Sequence, residues 1–211
     1  RYCKNNELLA QFPGLDTTQL KGASYYTDAM VDDSRLVMRV IQDSVENGAY
    51  ALNYTKVKNL VLKNGQTAGV TIEESDTGNT IDLSAAAVIN ATGAWADQLR
   101  NEFTDEKRIR PLRGSHLIFA QSLYPVTNVM TFLHQDDKRG VYVYPWEGTT
   151  VLGTTDLDHK EDLDIEASIS DQEIDYLLNG FNRQFPNNQL SRTDILSSWA
   201  GVRPVIGAEQ G

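Results

Sequence analysis

One histidine of this chain lies in a segment whose residue types point to proton-transfer chemistry. If residues 113–120 form a β-strand, Gly114 and His116 lie on one face, because successive side chains of a strand alternate. Ser115 and Leu117 then lie on the opposite face. Glycine leaves room above the imidazole, whose reference pKa of about 6.5 lets it accept a proton from an alcohol at neutral pH. His116 is therefore a candidate general base, and the alternative is a hydrogen-bonded histidine of the core.

An arginine in an apolar segment is the second candidate. Arg203 stands between Val202 and Pro204. A guanidinium is permanently charged, so placing it in apolar surroundings is costly unless it meets an anion or a carboxylate. Two interpretations follow: Arg203 stabilises negative charge on a bound ligand, or it forms a structural salt bridge.

Small residues follow an apolar run in the middle of the chain. Residues 85–89 are apolar without polar alternation, which predicts a parallel strand buried on both faces. Thr92 and Gly93 follow, at the carboxyl end of that strand, where α/β sheets place their ligands and glycine allows close approach to the backbone. The alternative is an ordinary strand-turn-helix junction without a ligand.

A similar pattern recurs later in the chain. Gly153, Thr154 and Thr155 follow the apolar residues Val151 and Leu152. This segment is a candidate ligand wall at the end of a strand, and the alternative is a simple turn.

The other histidines and the tryptophans are expected to play no chemical role. His134 and His159 are predicted to lie at the surface, and three separated histidines lack metal-ligand spacing. The carboxylates form no evident catalytic pair, so we expect no metal and no carboxylate-pair chemistry. The tryptophans are expected to fill the core or an interface; they are Trp95, Trp146 and Trp199.

The elements that must position these residues begin with a helix and a β-meander. Apolar residues recur at helical spacing from Leu36 to Val45, with Asp32 as a cap before them and Gly48 as the end. Asn-Gly and Asp-Thr-Gly turns separate three strand-like segments, residues 55–62, 67–73 and 80–83. These turns predict an antiparallel meander.

A second group of strands follows a charged linker at residues 100–110, where a domain boundary is plausible. An antiparallel sheet is predicted from residues 113–120, 128–134, 140–146 and 149–155. Ser170 and Glu173 form a capping box before an amphipathic helix that is expected to cover one face of this sheet. Residues 195–205 are predicted to be extended. The fold class is therefore mixed α/β, with helices, a meander and an antiparallel sheet.

The composition is that of a folded, acidic protein. Of 211 residues, 40% are hydrophobic, and 19 basic against 29 acidic residues give a net charge of -10. The basic residues are scattered, so nucleic acid is not an expected partner. No apolar run approaches the roughly 20 residues that cross a bilayer. The single cysteine, Cys3, excludes an internal disulfide, and with no signal peptide in the chain we expect a cytoplasmic protein.

Five motifs together occur in a recognisable order and spacing. They are VDDSRL at 31–36, VINATGAW at 88–95, RGSH at 113–116, LGTTD at 152–156 and WAGVRP at 199–204. No single motif is specific, but the set in register is. Over essentially its whole length the chain resembles the middle of FAD-dependent glycerol-3-phosphate dehydrogenases, within the wider D-amino-acid-oxidase-like flavoprotein group.

The resemblance implies an FAD site. Thr92 and Gly93 would lie against the FAD, and Val57 would contact its adenosine half. The residues of the later turn would approach the flavin side of the pocket: Gly153, Thr154 and Thr155.

The resemblance also implies a reaction. His116 matches the histidine that takes the C2 hydroxyl proton of sn-glycerol 3-phosphate, and Arg203 matches the arginine that steadies the developing oxygen charge. Hydride would pass from C2 to flavin N5, giving dihydroxyacetone phosphate and reduced FAD. Electrons would continue to a membrane quinone, which implies peripheral contact with the cytoplasmic membrane face. A homodimer is among the expected assemblies.

The resemblance divides the chain between two domains. Residues 1–30 and 108–198 would belong to an antiparallel-sheet substrate domain, and residues 31–107 and 199–211 to a doubly wound FAD-binding domain with its β-meander. The family's dinucleotide-binding Gly-x-Gly-x-x-Gly does not occur in the chain, so we expect a central fragment that binds FAD weakly or not at all. An aromatic residue is common where His159 stands, so the resemblance gives this position no role.

Other functions stay open at this point. A glycerol-3-phosphate oxidase would share these motifs and pass electrons to O2, giving hydrogen peroxide. A flavoenzyme that oxidises amines or hydroxy acids is a second alternative. A non-catalytic binding domain of the same fold is a third, and it predicts that replacing His116 or Arg203 leaves turnover within a few-fold of wild type.

Overall fold

The computed structural model describes residues 1–18 and 20–207. Its helices and strands are, in chain order, β1 (Tyr2–Cys3), α1 (Asn5–Gln11), β2 (Ala23–Ser24), α2 (Asp33–Glu46), β3 (Thr55–Lys63), β4 (Gln66–Glu74), β5 (Thr80–Ser84), α3 (Ala96–Arg100), β6 (Ile109–Ala120), β7 (Met130–Leu133), β8 (Gly140–Trp146), β9 (Thr149–Gly153), β10 (Leu157–Asp158), α4 (Asp171–Gln184) and β11 (Ile195–Ile206). Short 3-10 helices cover Gly93–Trp95 and Arg192–Asp194. The predicted mixed α/β class is confirmed.

The chain divides into two compact units. The first contains the residues up to Tyr25 and those from Arg108 onward, and the second contains Tyr26–Lys107. Within the predicted FAD-domain segment 199–211, the residues up to Ile206 are part of β11, a strand of the first unit. Residues 208–211 lie outside the described part of the chain.

The first unit is built around a six-stranded antiparallel sheet. Its central strand is β6, which pairs with β11 along nearly its whole length and with β9 and β10 along its other edge. β8 and β7 continue the sheet beyond β9. The predicted antiparallel sheet is therefore confirmed, and the extended segment predicted at residues 195–205 is one of its strands.

Side-chain alternation gives β6 a core face and a second face, here named the site face. On the core face Leu117 and Phe119 are fully buried in one cluster with Phe181 of α4. On the site face His116 and Ile118 are only partly buried. Burying each large apolar side chain contributes about 1.5–3 kcal/mol, so packing against α4 holds β6 firmly and sets which residues face the site.

α4 begins at the predicted capping box. The Ser170 hydroxyl accepts a hydrogen bond from the Glu173 N–H at 3.4 Å, and the Glu173 carboxylate accepts one from the Ser170 N–H at 2.9 Å. These bonds satisfy backbone donors that the first helical turn leaves free. They also fix the Glu173 carboxylate beneath the sheet, where the side chain is 1% exposed.

The second unit contains the predicted meander, formed by β3, β4 and β5. Asn64 and Gly65 have φ angles of 53° and 77°, as a two-residue hairpin turn requires. α2 has the predicted cap, since Asp32 Oδ1 accepts a hydrogen bond from the Arg35 N–H at 3.0 Å. Gly48, with a φ of 92°, follows the end of α2 as predicted.

The buried parallel strand predicted at residues 85–89 is wrong. No strand covers residues 86–92 of the described chain, and Ile89 is 89% exposed. The Ala85 N–H instead bonds to the Ala68 carbonyl at 2.9 Å, which prolongs the antiparallel pairing of β4 with β5. The run is rich in alanine, which has a low strand propensity and little surface to bury, and after Ala85 no described strand pairs with it.

α2 carries its apolar face in solvent. Leu36 and Val40 are 51% and 58% exposed, and no residue of α2 is buried. The predicted amphipathic pattern is present, but nothing in the described chain covers it. None of the described helices has the length and hydrophobicity needed to span a membrane.

Candidate functional site

His116 has a stacking partner on one neighbouring strand and a glycine on the other. Trp199 lies opposite it on β11, and the two rings stack with centroids 3.8 Å apart and an angle of 10° between their planes. Gly153 lies opposite it on β9, where a Cβ would be 2.7 Å from Cγ and 2.8 Å from Nε2 of His116. The imidazole therefore occupies the space that a side chain at position 153 would fill.

Burial and a neighbouring cation keep His116 uncharged. Burial disfavours the imidazolium, and the guanidinium of Arg203 adds repulsion, so the pKa of His116 is lowered from 6.5 to about 4. Its Nδ1 is buried and has no hydrogen-bond partner among the described residues. The ring is thus a neutral proton acceptor at pH 7, and the alternative of a hydrogen-bonded core histidine does not fit the unpartnered Nδ1.

The guanidinium of Arg203 lies above Gly114 on the site face. A Cβ at Gly114 would be 2.5 Å from Cζ of Arg203, so only glycine leaves the guanidinium in place. Nη2 donates to Thr154 Oγ1 at 2.7 Å. Nη1 donates to the Thr155 carbonyl at 3.3 Å and to Asp156 Oδ1 at 3.2 Å. The side chain of Arg203 is still 41% exposed, so the salt bridge leaves part of it accessible to a ligand.

Asp156 is shared by two arginines. Its Oδ1 accepts from Arg203, and its Oδ2 accepts from Nη1 of Arg139 at 2.8 Å. The same Nη1 also donates to the carbonyl of Asp156. Nε of Arg139 lies 3.5 Å from Oδ2 of Asp137. Charge-assisted bonds of this kind fix geometry, so Arg203 is held by a carboxylate that is itself held on its other side.

The space above Gly201 is open beside the guanidinium of Arg203. Gly201 on β11 lies opposite Gly114 on β6, and it stands between Trp199 and Arg203 along its own strand. A Cβ at Gly201 would meet no heavy atom within 4 Å. The site face therefore has free space above Gly201, beside the guanidinium that lies over Gly114 and near the neutral base His116.

Thr155 connects this segment to a buried carboxylate. Its hydroxyl accepts from the Ser115 N–H at 2.9 Å and donates to Glu173 at 2.7 Å. The Ser115 hydroxyl donates to the same carboxylate at 2.8 Å, and Nη2 of Arg113 lies 2.9 Å from it.

Glu173 is ionised in this network. Burial disfavours its charged form, but the hydrogen bonds from Thr155, the Ser170 backbone and the Ser115 hydroxyl outweigh burial and lower the pKa of this carboxyl group from 4.5 to about 2. A fixed negative charge therefore anchors the segment whose oxygens receive the guanidinium of Arg203.

His134 and His159 are both buried, so the prediction that they lie at the surface is wrong. His134 is 0% exposed, its ring stacks on Tyr176, and its Nε2 donates to the Tyr176 carbonyl at 3.0 Å while Nδ1 accepts from the Asp136 N–H. His159 is 7% exposed because its N–H bonds to the Pro111 carbonyl and draws it against the sheet. Among the described residues, no cluster of three or more side chains is placed to hold a metal ion.

Thr92 and Gly93 form an open turn in the second unit. The Thr92 hydroxyl donates to Asn90 Oδ1 at 2.7 Å, and the Asn90 amide donates to the Ala96 carbonyl at 2.9 Å. Gly93 has a φ of 59°, and a Cβ there would meet no heavy atom within 4 Å. The backbone at Gly93 is therefore open to close approach by a ligand, while Val57 lies partly buried in β3.

The predicted site residues fall into two groups. The first unit brings together the two candidate catalytic residues and the later turn: His116, Gly153, Thr154, Thr155 and Arg203. The second unit holds Val57, Thr92 and Gly93.

Sequence reasoning missed three residues of this site. Trp199 was expected to be a filler, but it is 47% exposed and stacks on His116. Its even spacing from Arg203 was an available signal, because residues four apart on a strand share a face. Asp156 and Glu173 were visible only as members of a motif and of a capping box, and their ion pairs depend on contacts between distant segments.

Comparisons with known proteins found a matching family and similar relatives. The chain matches the family model of the FAD dependent oxidoreductases over residues 1–210. It is 38% identical over 205 residues to an aerobic glycerol-3-phosphate dehydrogenase of Bacillus subtilis, covering 96% of this chain and 37% of the relative. It is 34% identical over 209 residues to an alpha-glycerophosphate oxidase of Lactococcus lactis, covering 97% of this chain and 34% of the relative. The chain thus spans roughly a third of the length of these relatives.

Solved structures share the fold. The structure of the glycerol-3-phosphate dehydrogenase from Bacillus halodurans, complexed with FAD, matches with a TM-score of 0.90 and 33% identity over 98% of this chain and 42% of that one. An L-alpha-glycerophosphate oxidase from Mycoplasma pneumoniae with FAD bound matches with a TM-score of 0.75 over 99% of this chain and 54% of that one. At 18% identity the second match supports the fold alone.

Proposed function

Since the chain belongs to the family of FAD-dependent oxidoreductases, we propose that the full-length protein oxidises sn-glycerol 3-phosphate to dihydroxyacetone phosphate. One observation carries the proposal. A neutral imidazole, His116, and a partly accessible guanidinium, Arg203, share the site face beside the open space above Gly201. The relatives at 38% and 34% identity, both named for glycerophosphate, support the choice of substrate.

His116 acts as the base in this proposal. Oxidation of a secondary alcohol to a ketone removes a proton from oxygen and two electrons with a hydrogen from carbon. The neutral imidazole accepts the hydroxyl proton, which a lowered pKa permits at all physiological pH values because the ring is already unprotonated. Proton acceptance leaves an imidazolium, and the ring returns to its neutral form by releasing that proton to solvent.

Arg203 stabilises the oxygen that loses its proton. Negative charge develops on this oxygen as the hydroxyl proton leaves, and a fixed cation nearby lowers the energy of that state. Thr154 and Asp156 hold the guanidinium in place before the reaction, so little reorganisation is required. The two roles of Arg203 considered from the sequence, charge stabilisation and salt bridging, are therefore compatible.

FAD, when bound, supplies the two-electron acceptor of the oxidation. Thr92 and Gly93 fit a bulky cofactor, because the backbone at Gly93 is open and its positive φ excludes most side chains. Val57 is the proposed contact for the adenosine half. Proposed contacts on the flavin side remain Gly153, Thr154 and Thr155. The imidazole of His116 already fills the space that a side chain at position 153 would need.

Anaerobic reduction of the full-length protein tests the proposed function. Adding sn-glycerol 3-phosphate to the oxidised holoenzyme is expected to abolish the visible absorbance of the flavin, whereas glycerol at the same concentration leaves it unchanged. A flavin that sn-glycerol 3-phosphate does not reduce, or that an amino acid reduces faster, would overturn the assignment.

The electron acceptor is a separate part of the proposal. We favour a quinone, because the relative at 38% identity is named a dehydrogenase. With a lipid-soluble quinone as acceptor, our proposal includes peripheral contact of the full-length enzyme with the cytoplasmic membrane face. The second candidate is oxygen, which the similarity to an alpha-glycerophosphate oxidase favours. Stopped-flow reoxidation decides between them: rapid reoxidation by a soluble quinone with slow reaction in air supports the dehydrogenase, and the reverse supports the oxidase.

A further inference from the structure

We propose that Trp199 is a positioning residue for His116: its indole fixes the imidazole in the orientation that receives the substrate proton. The inference rests on the proposed function, in which His116 is the base. In this proposal Trp199 affects the reaction only by orienting His116.

The geometry leaves the imidazole little freedom. The indole covers one face of the ring at a centroid distance of 3.8 Å with the planes almost parallel. On the opposite neighbouring strand the backbone of Gly153 lies directly beneath the edge of the ring. Rotation of His116 about its χ angles would break the stack or drive the ring into the backbone, so packing defines one orientation.

Among the described residues, no hydrogen bond to Nδ1 provides this orientation. A catalytic histidine is commonly held by a hydrogen bond from one ring nitrogen to a carboxylate or carbonyl, which sets both tautomer and direction. In His116 the Nδ1 atom is buried and has no hydrogen-bond partner among the described residues. The stack with Trp199 is thus the contact that performs the orienting task here.

Charged and titratable side chains of the described strands lie around the ring. Arg203 of β11 faces the imidazole, and its counterion Asp156 follows β9. Arg113 of β6 points to the opposite face, where it pairs with Glu173. β9 places Gly153 opposite the ring, and Tyr142 of β8 lies opposite Gly153 on its other side. The uncharged indole shields the imidazole from water, which disfavours the imidazolium and lowers the pKa of His116. The face of the indole also attracts a cation, which favours the imidazolium and raises this pKa. Since burial is the largest contribution to the lowered pKa, removing the indole is expected to raise it.

The test compares Trp199→Leu and Trp199→Phe with wild type in the full-length holoenzyme. One readout is the rate of flavin reduction by sn-glycerol 3-phosphate as a function of pH. The second is the rate at which diethyl pyrocarbonate modifies His116, measured by peptide mass spectrometry across the same pH range, which reports the ionisation of the imidazole without catalysis.

For Trp199→Leu we expect flavin reduction to slow by about tenfold or more at neutral pH, as for a misplaced reacting group. The pH midpoint of His116 modification is expected to rise toward its ordinary value. Trp199→Phe keeps a ring, so its midpoint and rate are expected to lie between those of Trp199→Leu and wild type. This order tests the proposal through Trp199→Phe even if the leucine variant does not fold.

Trp146→Leu is the matched control, because Trp146 of β8 lies in the cross-strand row of Thr149 and Ala120, four residues along β6 from His116. It is expected to leave both pH profiles unchanged. Wild-type profiles in both Trp199 variants would overturn the positioning role while leaving the proposed function intact. If sn-glycerol 3-phosphate does not reduce the wild-type enzyme, the proposed function fails, and the His116 modification profile still decides whether Trp199 controls the imidazole.

Discussion

The guanidinium of Arg203 lies directly over Gly114, in the space that a side chain there would occupy. This relationship joins two strands, β6 and β11, at a point where Gly201 forms the other half of the pair. The guanidinium can occupy this position only because residue 114 has no Cβ.

Gly114→Ala is therefore expected to displace Arg203 from Thr154 and Asp156. The long arginine side chain can move aside, so the fold should lose no more than about 1 kcal/mol of stability. Loss of a fixed charge at a developing oxyanion costs about 100-fold in rate, and we expect kcat to fall by about that factor. Melting temperature and steady-state kinetics measure the two effects; an unchanged kcat would show that Arg203 does not stabilise the transition state from its observed position.

Gly201→Ala differs from Gly114→Ala, because no heavy atom lies within 4 Å of the Cβ that it adds. No atom of the fold must move, and alanine in a strand is expected to stabilise the protein by up to about 0.5–1 kcal/mol. The added methyl group occupies the open space above Gly201, where we expect the substrate to lie beside Arg203, so KM for sn-glycerol 3-phosphate should rise several-fold. A variant with unchanged KM would place the substrate elsewhere. Since both variants replace glycine by alanine in one cross-strand pair, each serves as the control for the other.

Glu173→Gln is expected to destabilise the first unit. Removing one partner of a buried ion pair costs about 3–5 kcal/mol, and the lower end applies because Arg113 also lies 3.6 Å from Glu161. A lower melting temperature measures this loss. Glu166→Gln, which changes an exposed carboxylate of the same unit, should leave the melting temperature unchanged.

The destabilisation by Glu173→Gln should depend on pH. The folded pKa of Glu173 lies below its ordinary value, so the charged carboxylate contributes its full stability above pH 4.5 and loses it as the pH falls toward about 2. The difference in melting temperature between wild type and variant is therefore expected to shrink over this interval. A difference that stays constant down to pH 2 would mean that the charge of Glu173 is not what stabilises the network.

Local sequence signals predicted the elements whose geometry is set by neighbouring residues. A two-residue hairpin turn requires positive φ angles, which Asn64 and Gly65 adopt. Asp32 caps α2 by accepting a hydrogen bond from the backbone N–H of Arg35. The placement of His116 on the face of Gly114, opposite Ser115 and Leu117, followed from the two-residue period of a strand.

Features that depend on strand register or on distant packing could not be predicted in this way. The stack of Trp199 on His116 exists because β11 pairs with β6 in one register, and a shift by one residue would place the two rings on opposite faces. The burial of His134 depends on contact with Tyr176 of α4. Residues 85–89 are apolar like a buried strand, but a strand forms only beside a partner, and the described chain provides none for residues 86–89.

The central claim is that neutral His116 accepts the substrate proton, and single-turnover flavin reduction in His116→Gln tests it most directly. Wild-type enzyme mixed anaerobically with saturating sn-glycerol 3-phosphate is expected to show a rate that is independent of pH from about 6 to 8, because the pKa of His116 lies near 4. Loss of a general base costs about 100-fold to 10,000-fold, and the variant should slow by a factor in that range while it still binds FAD. A variant that is reduced within a few-fold of the wild-type rate would contradict the account.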